Sequence, residues 1–162
     1  MVVRVSDNST KPQILDEEGW LPLPVELASF ETIKTTVLDI AGNKPDLKQA
    51  LLVCDEVLAN IVNYSGAGHL DFRCEMQPGT LLVSFSDDGT PFNPIAFPSV
   101  EREFELLDKG GMGLNIIRQN TSGMKYERKD DRNVFTLSID IAASSETFRR
   151  CCRKNRQKVF SG

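Results

Sequence analysis

The sequence predicts an α+β fold, a two-layer sandwich in which a mixed, mostly antiparallel sheet carries its helices on one face. Three observations predict it. Two segments near the N-terminus repeat apolar residues at helical spacing, two alternating segments flank a Pro-Gly turn, and a glycine-led helix precedes two further alternating segments. With 162 residues, 40% hydrophobic and 26% charged, the chain has the length and composition of one globular domain.

Residues 1–18 are polar with little periodicity and read as an extended arm or short edge strand. The domain is expected over 19–142, with a basic helix or tail over 143–162. Leu21-Pro22-Leu23-Pro24 suits a strand ending in a turn, and Pro24 suits the first position of a helix running to about Ala41. Its apolar positions are Leu27, Phe30, Ile33, Val37 and Ile40. Gly42-Asn43-Lys44-Pro45 stops that helix, and Asp46 is a good cap for the next, whose stripe is Leu47, Leu51, Cys54, Leu58 and Ile61. His69 to Glu75 and Thr80 to Ser86 alternate around Gln77-Pro78-Gly79 as a hairpin. Thr90 to Lys109, with three prolines and several acids, has no clear period and reads as a long functional loop. A helix from Gly110 to Asn120 and strands near 124–129 and 133–141 complete the order.

The net charge of −4 is unevenly spread. Arg149, Arg150, Arg153, Lys154, Arg156 and Lys158 form an acid-free run, leaving thirteen basic residues against twenty-three acids elsewhere. An acidic body argues against direct nucleic-acid binding. The N-terminus lacks the basic start and long apolar stretch of a secretory signal, and no run of about 18 apolar residues occurs. A cytoplasmic protein with no membrane span is expected. Cys54, Cys74, Cys151 and Cys152 include no C-x-x-C pair, and His69 is the only histidine, which excludes a His-based metal cluster.

Three motifs carry chemistry. Glu56-x-x-x-Asn60, with Asn63 three residues on, lies opposite the apolar stripe. It is either the solvated face of an amphipathic helix or a carboxylate and a carboxamide aimed at one ligand, suited to accepting a proton and to holding Mg2+. Asp87-Asp88-Gly89-Thr90-Pro91-Phe92 is either an acidic strand-end turn or an acceptor for the adenine amino group. Gly110-Gly111-Met112-Gly113-Leu114 either packs a helix start or brings backbone N–H groups to phosphates, and it is neither a Walker A sequence nor a dinucleotide fingerprint.

In this order and spacing the three motifs resemble the N, G1 and G2 boxes of the GHKL ATPases, whose nucleotide sits in a Bergerat fold. The resemblance covers about residues 20–141, and Asp87-Asp88-Gly89-Thr90-Pro91-Phe92-Asn93-Pro94 is most similar to the anti-sigma-factor serine/threonine kinases. It implies Glu56 as general base for an acceptor hydroxyl, Asn60 as the Mg2+ ligand and Asn63 as a second polar group near the phosphates. It further implies Asp87 as the adenine acceptor, with Gly89 letting the ring approach and Asp88 a variable neighbour. Gly111, Met112, Gly113 and Leu114 would cover the phosphates, Lys109 would reach the terminal one, and about Asn93 to Gly110 would form a lid. Gly110 departs from the small polar residue of some members, and the lid is short.

The implied activity is that of an ATP-dependent serine/threonine kinase using ATP and Mg2+. Its implied partners are a STAS-domain anti-anti-sigma factor, which it phosphorylates, and a sigma factor, which it sequesters, and it is expected to act as a homodimer. Val2, Val3 and Val5 alternate in the arm and would pair with a sheet edge of a second chain. The alternatives are a nucleotide-gated binding module without transfer, a GHKL ATP hydrolase and a detached histidine-kinase catalytic domain.

Overall fold

A computed structural model describes residues 15–97 and 111–141. The N-terminal arm up to residue 14, Lys109 with most of the expected lid, and the basic tail with Cys151 and Cys152 lie outside the described residues.

The short strand β1 (Leu21–Leu23) leads through a 3₁₀ turn (Leu27–Ser29) into α1 (Phe30–Ala41) and α2 (Leu47–Asn60). A π-helical turn (Ile61–Ser65) extends α2. The hairpin β2 (Leu70–Gln77) and β3 (Thr80–Asp87) follows, then α3 (Gly111–Gln119), β4 (Gly123–Lys129) and β5 (Arg132–Asp140). Sheet order is β1-β2-β3-β5-β4, and every neighbouring pair is antiparallel. The sheet expected to be mixed and mostly antiparallel is therefore antiparallel throughout: β4 runs in the direction of β3, but β5 folds back between them and pairs antiparallel with both.

Alternation decides the two faces. Leu70 and Phe72 on β2, Leu81, Val83 and Phe85 on β3, and Phe135, Leu137 and Ile139 on β5 point into one core with Ile33, Val37, Val53, Cys54, Leu58 and Ile117. Phe72 and Phe85 meet across strands with ring centroids 5.2 Å apart. The opposite face is polar: Ser84 Oγ lies 3.0 Å from Thr136 Oγ1, and Arg132 pairs with Asp71 at 2.6 Å while also donating to Ser86 Oγ at 2.8 Å.

Three local expectations are corrected. The first helix starts at Phe30, not Pro24, because Glu26 is extended and the Ser29 hydroxyl, bonded to Pro24 O at 2.7 Å, holds a turn ahead of it. Leu27 in that turn and Ile40 in the last helical turn are therefore exposed, and Ile33, Val37 and Ala41 bury the stripe. Asp46 occupies the cap position of α2 but makes no side-chain cap, since its backbone is already helical. Of the expected arm, Asp16 to Gly19 form a turn, with Gly19 N bonded to Asp16 O and Asp16 Oδ1 accepting from Glu18 N and Trp20 N.

The hairpin turn between β4 and β5 places Asp130 and Asp131 at φ +51° and +59°, the left-handed region that glycine occupies without steric cost. Asp131→Gly is expected to stabilise the fold by about 0.5–1 kcal/mol, read as a higher urea midpoint at unchanged slope. A lower midpoint would show that the aspartate stabilises the turn.

Candidate functional site

α2 carries its apolar stripe into the core, and this leaves Glu56 and Asn60, one turn apart, half-buried along its edge against α3. Gly113 makes that approach possible. A Cβ there would lie 2.6 Å from Glu56 Oε2 and 3.7 Å from Asn60 Nδ2, so the N-terminal turn of α3 runs directly past the carboxylate and carboxamide. Burial, with the neighbouring Asp55 carboxylate adding to it, pushes the Glu56 carboxyl above its ordinary value of 4.5.

Asp87 ends β3 at only 5% exposure. Its Oδ1 accepts from Gly89 N at 2.9 Å and from Asn133 Nδ2 at 3.1 Å. Asp87, Asn60 and Leu114 share the wall of a cavity of about 320 Å³ with Val57, Ile61, Ile117 and Phe135, so one buried carboxylate faces a largely apolar chamber. Its mouth carries Tyr64, Thr90, Pro91, Phe92, Pro94 and Phe97. Arg118 of α3 donates to the carbonyls of Pro94 and Phe97, tying the start of the expected lid to that helix.

Gly89 is closely packed. Its added Cβ would lie 2.5 Å from Ser65 O and 2.8 Å from Asp87 Oδ1, so the missing side chain lets the turn seat on the π-helical turn, where Thr90 N also bonds Ser65 O at 2.9 Å. Asp88 clamps the same region. Its Oδ2 lies 2.7 Å from His69 Nδ1 and its Oδ1 accepts from His69 N and Gly68 N, contacts that hold its carboxyl well below the usual range.

Asn63 is exposed and lies off the cavity wall, because the π-helical turn widens the spiral after Asn60 and rotates it away from the α2 face. Gly111 and Met112 form the first turn of α3. Sequence reasoning missed Asn133 and Tyr126, bonded to each other at 2.7 Å on the cavity wall. A polar residue at an inward position of the alternating β5 is the signal that marked Asn133.

The donor set fits a purine nucleotide and Mg2+. The chamber is largely apolar with a single carboxylate in its wall, and the glycine-led start of α3 lies beside a carboxamide. Among the described residues no three His, Cys, Asp or Glu side chains cluster as metal ligands. Mg2+ suits such a site, because it is commonly held by one or two protein groups with phosphates and water completing its shell.

The family model described as histidine kinase-like ATPase domain matches residues 24–139. The chain is 30% identical over 108 residues to the serine/threonine-protein kinase BtrW of Bordetella bronchiseptica, covering 61% of this chain and 75% of that one. Among solved structures it is similar to histidine kinase AdeS of Acinetobacter baumannii, with a TM-score of 0.44 and 15% identity over 76% of this chain and 68% of that one. It is also similar to a blue-light activated histidine kinase of Erythrobacter litoralis, with a TM-score of 0.48 and 17% identity over 78% of this chain and 44% of that one. Among the described residues no helix is long and apolar enough to cross a membrane.

The two glycines are expected to differ in what they cost. Gly89→Ala drives a methyl against backbone and should destabilise by about 1–3 kcal/mol. Gly113→Ala meets only the movable end of Glu56, so the denaturant midpoint should change little while Glu56 is displaced. Equal destabilisation by both would contradict the packing described.

Proposed function

The chain belongs to the histidine kinase-like ATPase family, and from that premise we propose that it is an ATP-dependent serine/threonine protein kinase. The observation that carries this is that Asn60 and Asp87 line one cavity, while Gly113, at the start of α3, borders both Asn60 and Glu56. The described kinase similarity to BtrW supports it. The proposed nucleotide-binding domain is 19–142, and the family match over 24–139 supports it.

Asp87 Oδ2, which has no hydrogen-bond partner among the described residues, accepts from the adenine amino group. Val57, Ile61, Leu114 and Phe135 exclude water around the base. The first turn of α3, including Gly111, Met112 and Gly113, offers N–H groups to the phosphates, and Lys109 acts on the terminal one. Asn60 supplies the carboxamide oxygen for Mg2+, with Asn63 an outer polar group. Bound Mg2+ would neutralise charge on the transferring phosphoryl group. Glu56 accepts the proton of a serine hydroxyl as its oxygen attacks the terminal phosphorus and ADP leaves. A carboxylate with a raised pKa is a better base than an ordinary one, and an inert binder has no chemical need for it there.

The serine belongs to a STAS-domain anti-anti-sigma factor, and its phosphorylation breaks that complex and frees the kinase, as a homodimer, to sequester a sigma factor. Purified protein with labelled ATP and candidate antagonist tests the reading. Label on a serine supports it, whereas label on histidine or release as free phosphate replaces it with one of the alternatives.

Glu56→Gln should retain nucleotide binding and lose transfer by about 10²–10⁴-fold, measured as initial rates. A wild-type rate would make Glu56 a mere helix-face residue. The pH dependence has a definite sign. Transfer needs the deprotonated carboxylate, so its acid limb should fall above 4.5 in wild type. The folded chain holds this proton to higher pH than the unfolded one, so the contribution of Glu56 to stability falls as pH rises from 4.5 through the raised value. Glu56→Gln should therefore be the more stable protein above that window, by urea titration, with the difference shrinking in acid.

A further inference from the structure

We propose that Tyr126 and Asn133 are positioning residues that turn Asp87 into a one-oxygen acceptor and thereby set a preference for adenine over guanine nucleotides. The proposal rests on the ATP-site reading above.

Asn133, 4% exposed in β5, has all four hydrogen-bonding positions of its carboxamide filled. Nδ2 donates to Asp87 Oδ1 at 3.1 Å and to Thr90 O at 3.0 Å. Oδ1 accepts from Tyr126 Oη–H at 2.7 Å and from Phe92 N at 3.3 Å. Only one orientation of the amide satisfies this set. Thr90 O only accepts and Phe92 N only donates, so exchanging nitrogen and oxygen would set oxygen against oxygen and N–H against N–H. The Tyr126 hydroxyl makes the shorter of the two bonds to Oδ1 and fixes the carboxamide from the side away from Asp87.

The consequence falls on Asp87. Its Oδ1 already takes two donors, Asn133 Nδ2 and Gly89 N, which uses the lone pairs of that oxygen. One oxygen, Oδ2, is left for a ligand. Adenine presents a single amino donor beside a ring acceptor, and one carboxylate oxygen serves it. Guanine presents a ring N–H and an amino group side by side, an edge that pairs with both oxygens of a carboxylate at once. With Oδ1 saturated, that two-point contact is refused and one guanine donor goes unpaired in an apolar chamber, the kind of loss that supports discrimination. Tyr126 and Asn133 both line that chamber, so their own polar atoms are close to the base but already committed.

Calorimetric titration of wild type, Tyr126→Phe and Asn133→Ala with ADP and with GDP, each with Mg2+, tests this. Wild type should prefer ADP. Asn133→Ala should narrow the ADP:GDP affinity ratio by roughly tenfold, and Tyr126→Phe by a few-fold, as one net hydrogen bond allows. A role confined to packing would weaken both nucleotides by one factor and leave the ratio unchanged, which overturns the proposal, as does a wild type without preference. If circular dichroism shows Asn133→Ala unfolded, the ratio in Tyr126→Phe, which loses a single oxygen from a half-buried ring, decides alone. Wild type binding neither nucleotide removes the ATP-site reading and this proposal together, whereas wild type binding ADP with unchanged ratios in the variants removes only the proposal.

Discussion

A carboxylate buried at the end of a strand has to find hydrogen-bond donors, and Asp87 obtains them from its own turn and from the residue opposite it on the neighbouring strand. Gly89 N comes from its own turn, and Asn133 Nδ2 from β5, the strand inserted between β3 and β4. The turn can fold back onto Asp87 only because Gly89 has no side chain, and it is then held by Thr90 N on Ser65 O and by Arg128 on Gly89 O at 2.9 Å. Satisfying one buried acid thus fixes the relation of the sheet to the π-helical turn that ends α2. The floor of the cavity follows from that relation.

The contact between α2 and α3 beside Asn60 obeys a different constraint. There the packing of α2 against α3 is close enough that Gly113 borders Glu56 directly, so the position of the carboxylate depends on the absence of one methyl group. That closeness also desolvates Glu56, and the raised pKa comes at a cost in stability at neutral pH. The burial that raises the Glu56 carboxyl thus works against fold stability at this residue. At Asp87 the bonds that compensate its burial also leave one oxygen facing the cavity.

The helices were legible because their apolar residues recur at fixed spacing: Leu47, Cys54, Leu58 and Ile61 on α2 are buried as their period requires. The β2–β3 hairpin was legible through Pro78-Gly79, with Gly79 at φ +74°. Capping at Asp46 and the start of α1 were not, since both depend on backbone choices at Asp46 and Glu26 that tertiary contacts decide. The placement of Asn63 was hidden for a related reason: ideal helical spacing carries no sign that the spiral widens after Asn60. Motif reading singled out Glu56, Asn60 and Asp87 by their letters and spacing, and the fold puts Asn60 and Asp87 on one cavity wall with Glu56 beside Asn60 across Gly113. It missed Tyr126 and Asn133: a polar residue at an inward position of β5 is the local trace of Asn133, but its contacts with Asp87 and Tyr126 arise from strand pairing, in which Asp87 faces Asn133 and Tyr126 faces Phe135.

Asp87 is the residue on which the nucleotide reading most depends, and calorimetric titration of ATP with Mg2+ into wild type and Asp87→Asn measures its part directly. Asparagine keeps the shape and removes the charge, and loss of a hydrogen bond to a charged acceptor is worth about 1.5–3 kcal/mol. Weaker binding by that amount, with the variant still folded, is the result predicted. Unchanged affinity would place the base elsewhere and contradict the assignment of this cavity.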